Sequence, residues 1–263
     1  MGGIASSLDS GIEATLRRDR WVVAASLSLV IALAWLYLWY DAAMMSQIGP
    51  VDGLAPEATN ALHPAALAMT FAMWSIMMVG MMLPSAAPTL LLYGALVRKN
   101  GERDTVLPAV WIFTGGYLAA WTAFSFAATV LQVALEQAAL LTPMMETRSN
   151  GLSAAILIAA GVYQWLPLKQ ACLRHCRSPL QFLVAHWRGG KRGAFRMGAE
   201  HGVYCVGCCW ALMLVLFVAG VMNLLWVALI AAFVLVEKLL PASKFTARLA
   251  SVALIAIGLF RLI

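Results

Sequence analysis

The stretch Ala65–Tyr93, AALAMTFAMWSIMMVGMMLPSAAPTLLLY, contains no charged side chain. A helix needs about 20 predominantly apolar residues to cross the hydrocarbon core of a bilayer. Six further stretches reach or approach that length: 21–40, 108–135, 150–168, 202–221, 223–240 and 247–263. The sequence therefore predicts an all-α fold, a polytopic transmembrane helical bundle of about seven spanning helices. The short connection 221–223 predicts a tight antiparallel hairpin between the fifth and sixth spans.

The composition excludes a large water-facing domain. Apolar residues make up 62% of the chain and charged residues 11%, less than half the roughly 25% usual in soluble proteins. We expect a single transmembrane domain over 21–263, preceded by a surface segment over 1–20 in which Leu8, Ile12 and Leu16 recur at helical spacing. The basic residues form short clusters without interleaved aromatic residues, which argues against a nucleic-acid partner. Motifs of hydrolases, ATPases and dinucleotide-binding enzymes are absent from the sequence, so an enzyme is disfavoured.

The positive charges predict the orientation. With the N-terminus in the cytoplasm, the N-terminal segment and the loops 98–104, 169–200 and 238–248 are cytoplasmic, and they hold 16 of the 18 Lys and Arg residues. We therefore predict a multi-pass protein of the bacterial cytoplasmic membrane with its N-terminus inside.

The cysteines are clustered in one part of the sequence. All five lie between residues 172 and 209, as a C-x3-C after the fourth span and a C-x2-C-C in the fifth, one turn after a histidine. On helices each set shares a face, and both faces open at the predicted cytoplasmic side, where disulfides are disfavoured and thiolates bind soft metals. The predicted ligands are Cys172, Cys176, His201, Cys205, Cys208 and Cys209. His175 and His186 are interpreted as solvated loop residues, and the alternative for the cysteines is that they are small apolar packing residues.

Methionines form a second pattern, in the second span. One row climbs at i, i+4 and a neighbouring row lies beside it: Met69, Met73, Met77 and Met81, then Met78 and Met82. Uncharged thioethers could pass Cu(I) along without burying carboxylates, although methionine is also a common packing residue. Pro84 frees the carbonyl of Gly80, and Ser85 or a neighbouring helix is expected to satisfy it.

Three blocks of sequence resemble a known family. They are Trp74–Ser85 (WSIMMVGMMLPS), Tyr163–Pro179 (YQWLPLKQACLRHCRSP) and His201–Met213 (HGVYCVGCCWALM), with Gly220–Asn223 and Glu237–Lys238 further on. Over about residues 65–241 the chain is similar to bacterial predicted metal-binding integral membrane proteins, some of which are described as copper chaperones. The resemblance implies a multi-spanning metal-binding protein whose matched candidate ligands are Met77, Met81, Met82, Cys172, Cys176, His201, Cys205, Cys208 and Cys209.

The residues favour a membrane protein that binds and conducts or delivers Cu(I) through the methionine row to the Cys/His site. Zn(II) or another soft metal is an alternative cargo. Its partners would be the lipid bilayer, the metal ion, and a soluble copper carrier or a membrane cuproenzyme. One alternative is a membrane thiol-disulfide oxidoreductase in which Cys172–Cys176 and Cys205–Cys208 exchange disulfides. Another is a non-catalytic assembly subunit whose cysteines and methionines pack against a partner.

Overall fold

The computed structural model describes residues 2–47, 63–100, 105–142, 145–240 and 243–262, with side chains from Arg20 to Met44 in the first helix and from Thr246 in the last. Within these ranges the chain is helical apart from short connections and one antiparallel bridge, between Leu141 and Thr147. The all-α prediction is confirmed. The helices are α1 Gly2–Gln47, α2 Pro64–Lys99, α3 Val106–Gln137, α4 Asn150–Tyr163, α5 Pro167–Arg177, α6 Pro179–Ala185, α7 Gly190–Leu214, α8 Leu216–Ala219, α9 Leu224–Leu239 and α10 Ser243–Phe260.

Fewer helices than predicted are long and apolar enough to cross a membrane. In the described part of the chain there are four: Arg20–Met44, Pro64–Lys99, Val106–Gln137 and Gly190–Ala219. A fifth exists if α4 and α5 are one broken span. The count of about seven is not confirmed, because α9 has 16 residues and α10 has 18, which at about 1.5 Å per residue fall short of a hydrocarbon core about 30 Å thick. The surface position of residues 1–20 stays a prediction.

The predicted fourth span breaks before its end. It stops at Tyr163, and α5 starts at Pro167 at an angle of 63° to α4. Proline disfavours the helical conformation in the residue before it and fits the first turn of a new helix, which explains why Leu166 is extended and caps α5. The C-x3-C motif therefore lies on a short helix of its own.

Helix α2 continues through Pro84 because a neighbouring helix satisfies the carbonyl that the proline leaves free. The indole Nε1 of Trp35, in α1, donates to the Gly80 carbonyl at 3.2 Å. Ser85, the other expected donor, instead bonds the Met82 carbonyl at 2.8 Å. Helices α1 and α2 are thus joined at the point where the proline weakens α2.

Helices α3 and α7 approach each other through glycines. A side-chain carbon on Gly198 would lie 1.9 Å from the carbonyl oxygen of Phe113, and one on Gly116 would lie 2.0 Å from the carbonyl oxygen of Phe195. Such contacts require residues without a side chain, and they are a common way for helices to pack in membranes. This packing fixes the part of α7 that carries the C-x2-C-C motif against α3.

The chain reverses between α8 and α9 through a four-residue turn. Gly220 has φ 88°, which favours glycine, and the Asn223 N–H donates to its carbonyl at 3.0 Å. After this turn α9 packs mainly along α2 and only lightly against α7. The end of α9 therefore lies beside the methionines of α2.

Basic residues from distant parts of the sequence gather at one end of the bundle, here called the basic end. Arg20 and Arg98 line one shared cavity there, and Lys191 lines a second cavity with Val97 and Thr105. The assignment of this end to the cytoplasm remains a prediction.

Candidate metal centre

The two cysteine motifs meet in the interior, between α5 and α7. Cys176, Cys205, Cys208 and Cys209 are buried, Cys172 is half-buried, and all five are free thiols. The Cys176 thiol contacts those of Cys205 and Cys208. The structure therefore brings together the two sets that the sequence predicted to be neighbours.

Cys172 lies at the edge of the thiol cluster, over a glycine. Its Sγ would be 2.8 Å from a side-chain carbon built on Gly207 of α7. The glycine inside the motif thus makes the space in which the fifth sulfur sits against α7.

Cys205 is the centre of the cluster because polar groups from two other helices point at its sulfur. The Nζ of Lys238 lies 2.8 Å from Cys205 Sγ and 2.9 Å from the hydroxyl of Ser85. The hydroxyl of Tyr117 lies 3.0 Å from the same sulfur. An ammonium group can only donate hydrogen bonds, so Cys205 accepts from Lys238, and a thiolate is the better acceptor.

Lys238 has no carboxylate partner among the described residues. The ion pairs there join Lys169 to Glu237, and both Arg188 and Arg196 to Glu200. A buried positive charge must be compensated locally. The thiol cluster supplies the group closest to Lys238 that can carry a negative charge.

The methionines of α2 reach this cluster at one point. Cys209 Sγ lies 3.9 Å from Met82 Sδ, so a thiol and a thioether are in direct contact. Met77 and Met81 are buried nearer the start of α2, together with Met73 and Met78. Met69, the first of the predicted row, is 73% exposed and points away from the interior.

Two of the thiols make hydrogen bonds to the backbone. Cys208 and Cys209 both donate to the carbonyl of Cys205, at 3.1 and 2.8 Å. Across the described residues, no three His, Cys, Asp or Glu side chains already surround a common metal position. Binding a metal would therefore require Cys208 and Cys209 to turn away from this carbonyl.

His201 lies one helical turn before Cys205 and is almost fully buried. Its ring packs among those of Phe182, Tyr117 and Phe113, with centroids 5.2 to 6.2 Å away. Its Nδ1 is buried and makes no hydrogen bond to any described group. A buried polar atom without a partner is costly and is a common sign of a missing ligand or water.

The sequence analysis missed the role of the lysine and glutamate at the end of α9. Glu237 and Lys238 do not pair with each other, because consecutive helical residues point in different directions. Glu237 instead binds Lys169 of α5, with Nζ–O distances of 2.7 and 2.9 Å, and its carbonyl accepts from Arg177 at 2.7 Å. The signal was a pair of charges in an otherwise apolar helix, where a charge indicates a buried partner.

A second polar cluster lies at the opposite end of the bundle, where the sequence analysis placed no site. Gln132 of α3 is fully buried and accepts from the indole of Trp74 at 2.7 Å. Its amide donates to Glu136 at 2.8 Å and to the sulfur of Met145 at 3.3 Å. A half-buried thioether therefore lies beside the start of the methionine rows of α2.

One comparison with known proteins gives a match. A family model described as "PpoB2: Copper chaperone" matches residues 71–261, which is most of the chain and includes both cysteine motifs. No curated protein and no solved structure matches the chain.

Proposed function

Because the chain belongs to the PpoB2 copper chaperone family, we propose that it is a membrane protein that binds Cu(I) and passes it along the methionines of α2 to the thiols of α5 and α7. The observation that carries the proposal is the 3.9 Å contact between Met82 Sδ and Cys209 Sγ. It joins the thioethers to the thiols inside the protein, without a polar gap. Both kinds of sulfur are soft ligands that select Cu(I) over harder cations.

The chemistry of the two sulfur types gives the route a direction. A thioether is neutral and binds Cu(I) weakly, whereas a thiol releases its proton on binding and becomes a strong anionic ligand. An ion that enters by the buried methionines, Met73, Met77, Met78, Met81 and Met82, would therefore be held most tightly at the cysteines. Met145 supplies a thioether at the start of this route.

Lys238 has a part in the proposed site. Its ammonium group lies 2.8 Å from the sulfur of Cys205, where it would stabilise a negative charge on that sulfur. A bound Cu(I) ion would bring its own positive charge, and Lys238 would then keep its second contact, with Ser85. The proposed ligands at this end are Cys172, Cys176, Cys205, Cys208 and Cys209 together with His201, whose buried Nδ1 lacks a partner among the described residues.

The location and partners belong to the same proposal. The chain would reside in the bacterial cytoplasmic membrane as a single domain over 21–263, with the basic end in the cytoplasm. It would deliver copper to a soluble copper carrier or to a membrane cuproenzyme. Zn(II) remains the alternative cargo, since thiolates bind it as well.

A second candidate is a membrane thiol-disulfide oxidoreductase. It is favoured by the position of Cys176, on α5, beside Cys205 and Cys208 of α7. The burial of these sulfurs disfavours it, because a protein substrate could not reach them.

Elemental analysis tests the proposal. Protein from copper-supplemented cells, purified without oxygen, is compared with a variant in which all five cysteines are serine, and with Met69→Leu as a control outside the buried rows. We expect copper in the parent and the control and a loss of most of it in the cysteine variant. A metal-free parent with oxidised thiols would support the oxidoreductase, and zinc in place of copper would change the cargo. A metal-free parent with reduced thiols would refute both functions.

A further inference from the structure

Two histidines outside the thiol cluster line one cavity at the basic end. His175 lies in the last turn of α5 and His186 follows α6, and both border a cavity of about 310 Å³ that is also lined by Arg174, Ser178 and Gln181. Both residues are half-buried, so they are neither free in solvent nor sealed in the core. The interpretation of these residues as solvated loop histidines does not fit this placement.

The backbone fixes the protonation of each ring. His175 Nδ1 lies 3.0 Å from the carbonyl of Ala171, and His186 Nδ1 lies 3.1 Å from the carbonyl of Phe182. A carbonyl can only accept, so Nδ1 carries the proton in both rings, and a neutral ring then has its lone pair on Nε2. Histidines that bind metals are held in this way, with one nitrogen donating to a backbone carbonyl.

The two rings are held at a spacing that one ion can bridge. His175 stacks on Tyr204 with centroids 4.0 Å apart, His186 stacks on Phe182 at 4.9 Å, and the two imidazole centroids are 6.4 Å apart. With metal–nitrogen bonds of about 2.0–2.1 Å, two imidazoles on one ion have centroids at most about 6.3 to 6.5 Å apart, a limit that is reached when the two nitrogens lie on opposite sides of the ion. The observed separation is at that limit.

Phe182 connects this cavity to the thiol site. Its ring contacts that of His186 on one side and that of His201 on the other, at 5.2 Å. His201 in turn lies one turn from Cys205, and His175 is the neighbour of Cys176 in the chain. The cavity is therefore adjacent to the thiol cluster, with the ring of Phe182 as a shared neighbour.

We propose that His175 and His186 form a second copper site, a two-imidazole exchange site from which Cu(I) leaves for an acceptor, and this inference rests on the proposed function. Imidazole binds copper but is neutral, so the site holds the ion more weakly than the thiols do. Only at such a site could a competing ligand from solvent reach the ion.

The test is a Cu(I) titration of the full-length protein without oxygen, against a coloured Cu(I) chelator, with X-ray absorption at each equivalent. The variants are His175→Gln and His186→Gln, and His63→Gln, which replaces an exposed histidine at the start of α2, is the matched control. We expect a tight class with sulfur ligands in all proteins, and a weaker class with nitrogen ligands whose affinity falls about tenfold or more in either cavity variant.

The outcomes separate this inference from the proposed function. A weak class that is unchanged in both cavity variants overturns the exchange site, and so does its absence from the parent. If every protein lacks the sulfur signal but keeps the weaker nitrogen class, the thiol site is refuted and the histidine site is retained. Native-like helical circular dichroism of each variant checks that the substitutions leave the fold intact.

Discussion

The buried ion pair between Lys169 and Glu237 holds the C-x3-C helix in place, and we expect its disruption to release that helix. Lys169 is 0% exposed and Glu237 1% exposed, and Nζ also donates to the side chain of Gln164. Replacing Glu237 with Met leaves the ammonium buried with one neutral acceptor. Arg177 also joins α5 to α9, by donating to the backbone carbonyl of Glu237. A side-chain substitution at Glu237 therefore removes the ion pair and leaves the Arg177 hydrogen bonds in place.

The magnitude follows from the burial of both charges. Removing one partner of a buried pair costs about 3–5 kcal/mol, whereas replacing both by apolar residues is close to neutral. We therefore expect Glu237→Met and Lys169→Met each to lower the free energy of unfolding by about 3 kcal/mol or more, and the double variant to recover most of the loss. Glu200→Gln is the control, since its pair with Arg188 is partly exposed and should contribute about 1 kcal/mol or less.

The assay is equilibrium unfolding in mixed detergent micelles, followed by tryptophan fluorescence, with maleimide labelling of Cys176 in the folded state. We expect faster labelling in each single variant and parental labelling in the double variant. Single variants within 1 kcal/mol of the parent, or a double variant no more stable than the singles, would refute the claim that this pair anchors α5.

Three further outcomes are expected. Copper accumulation in cells at matched protein levels should fall when the buried methionines Met77, Met81 and Met82 are all replaced by leucine. It should stay at the parental level in Met69→Leu. Equal accumulation in both variants would mean that the protein binds copper without a methionine route. Gly198→Ala should destabilise the protein by several kcal/mol, because its new carbon would lie 1.9 Å from the Phe113 carbonyl oxygen. Gly115→Ala, with open space around it, should unfold like the parent. A stable Gly198→Ala protein would contradict the close packing of α3 and α7. Reporter fusions after residue 100, within 180–195 and after 243 should read cytoplasmic, and a periplasmic signal within 180–195 would reverse the orientation and remove the argument for reduced thiols.

Local chemistry made part of this structure predictable. The spacing of the cysteines placed each set on one face of a helix, and the shared basic end brought the two faces together, as the contact of Cys176 with Cys205 confirms. The free carbonyl in α2 was predictable in the same way, because Pro84 necessarily leaves the Gly80 carbonyl unbonded within the helix, and Trp35 then satisfies it.

Other features depended on packing that a membrane sequence does not encode. Lipid is as apolar as the protein interior, so the methionine spacing could not tell that Met69 points outward while Met73 is buried. The partner of Glu237 was missed because spacing along one helix carries no information about which neighbouring helix is within reach. The count of about seven spans is not confirmed because apolar length alone does not identify helices as short as α9 and α10, or a break such as the one before Pro167.

The glycine contacts between α3 and α7 determine which half of the sulfur cluster can move. Where backbone meets backbone there is no flexible side chain to adjust, so the three thiols of α7 form a rigid wall of the site. Helix α5 is instead fastened to α9 through the ends of long side chains, Lys169 and Arg177. A change in the width of the cluster would therefore come from α5, which would carry Cys172 and Cys176 together.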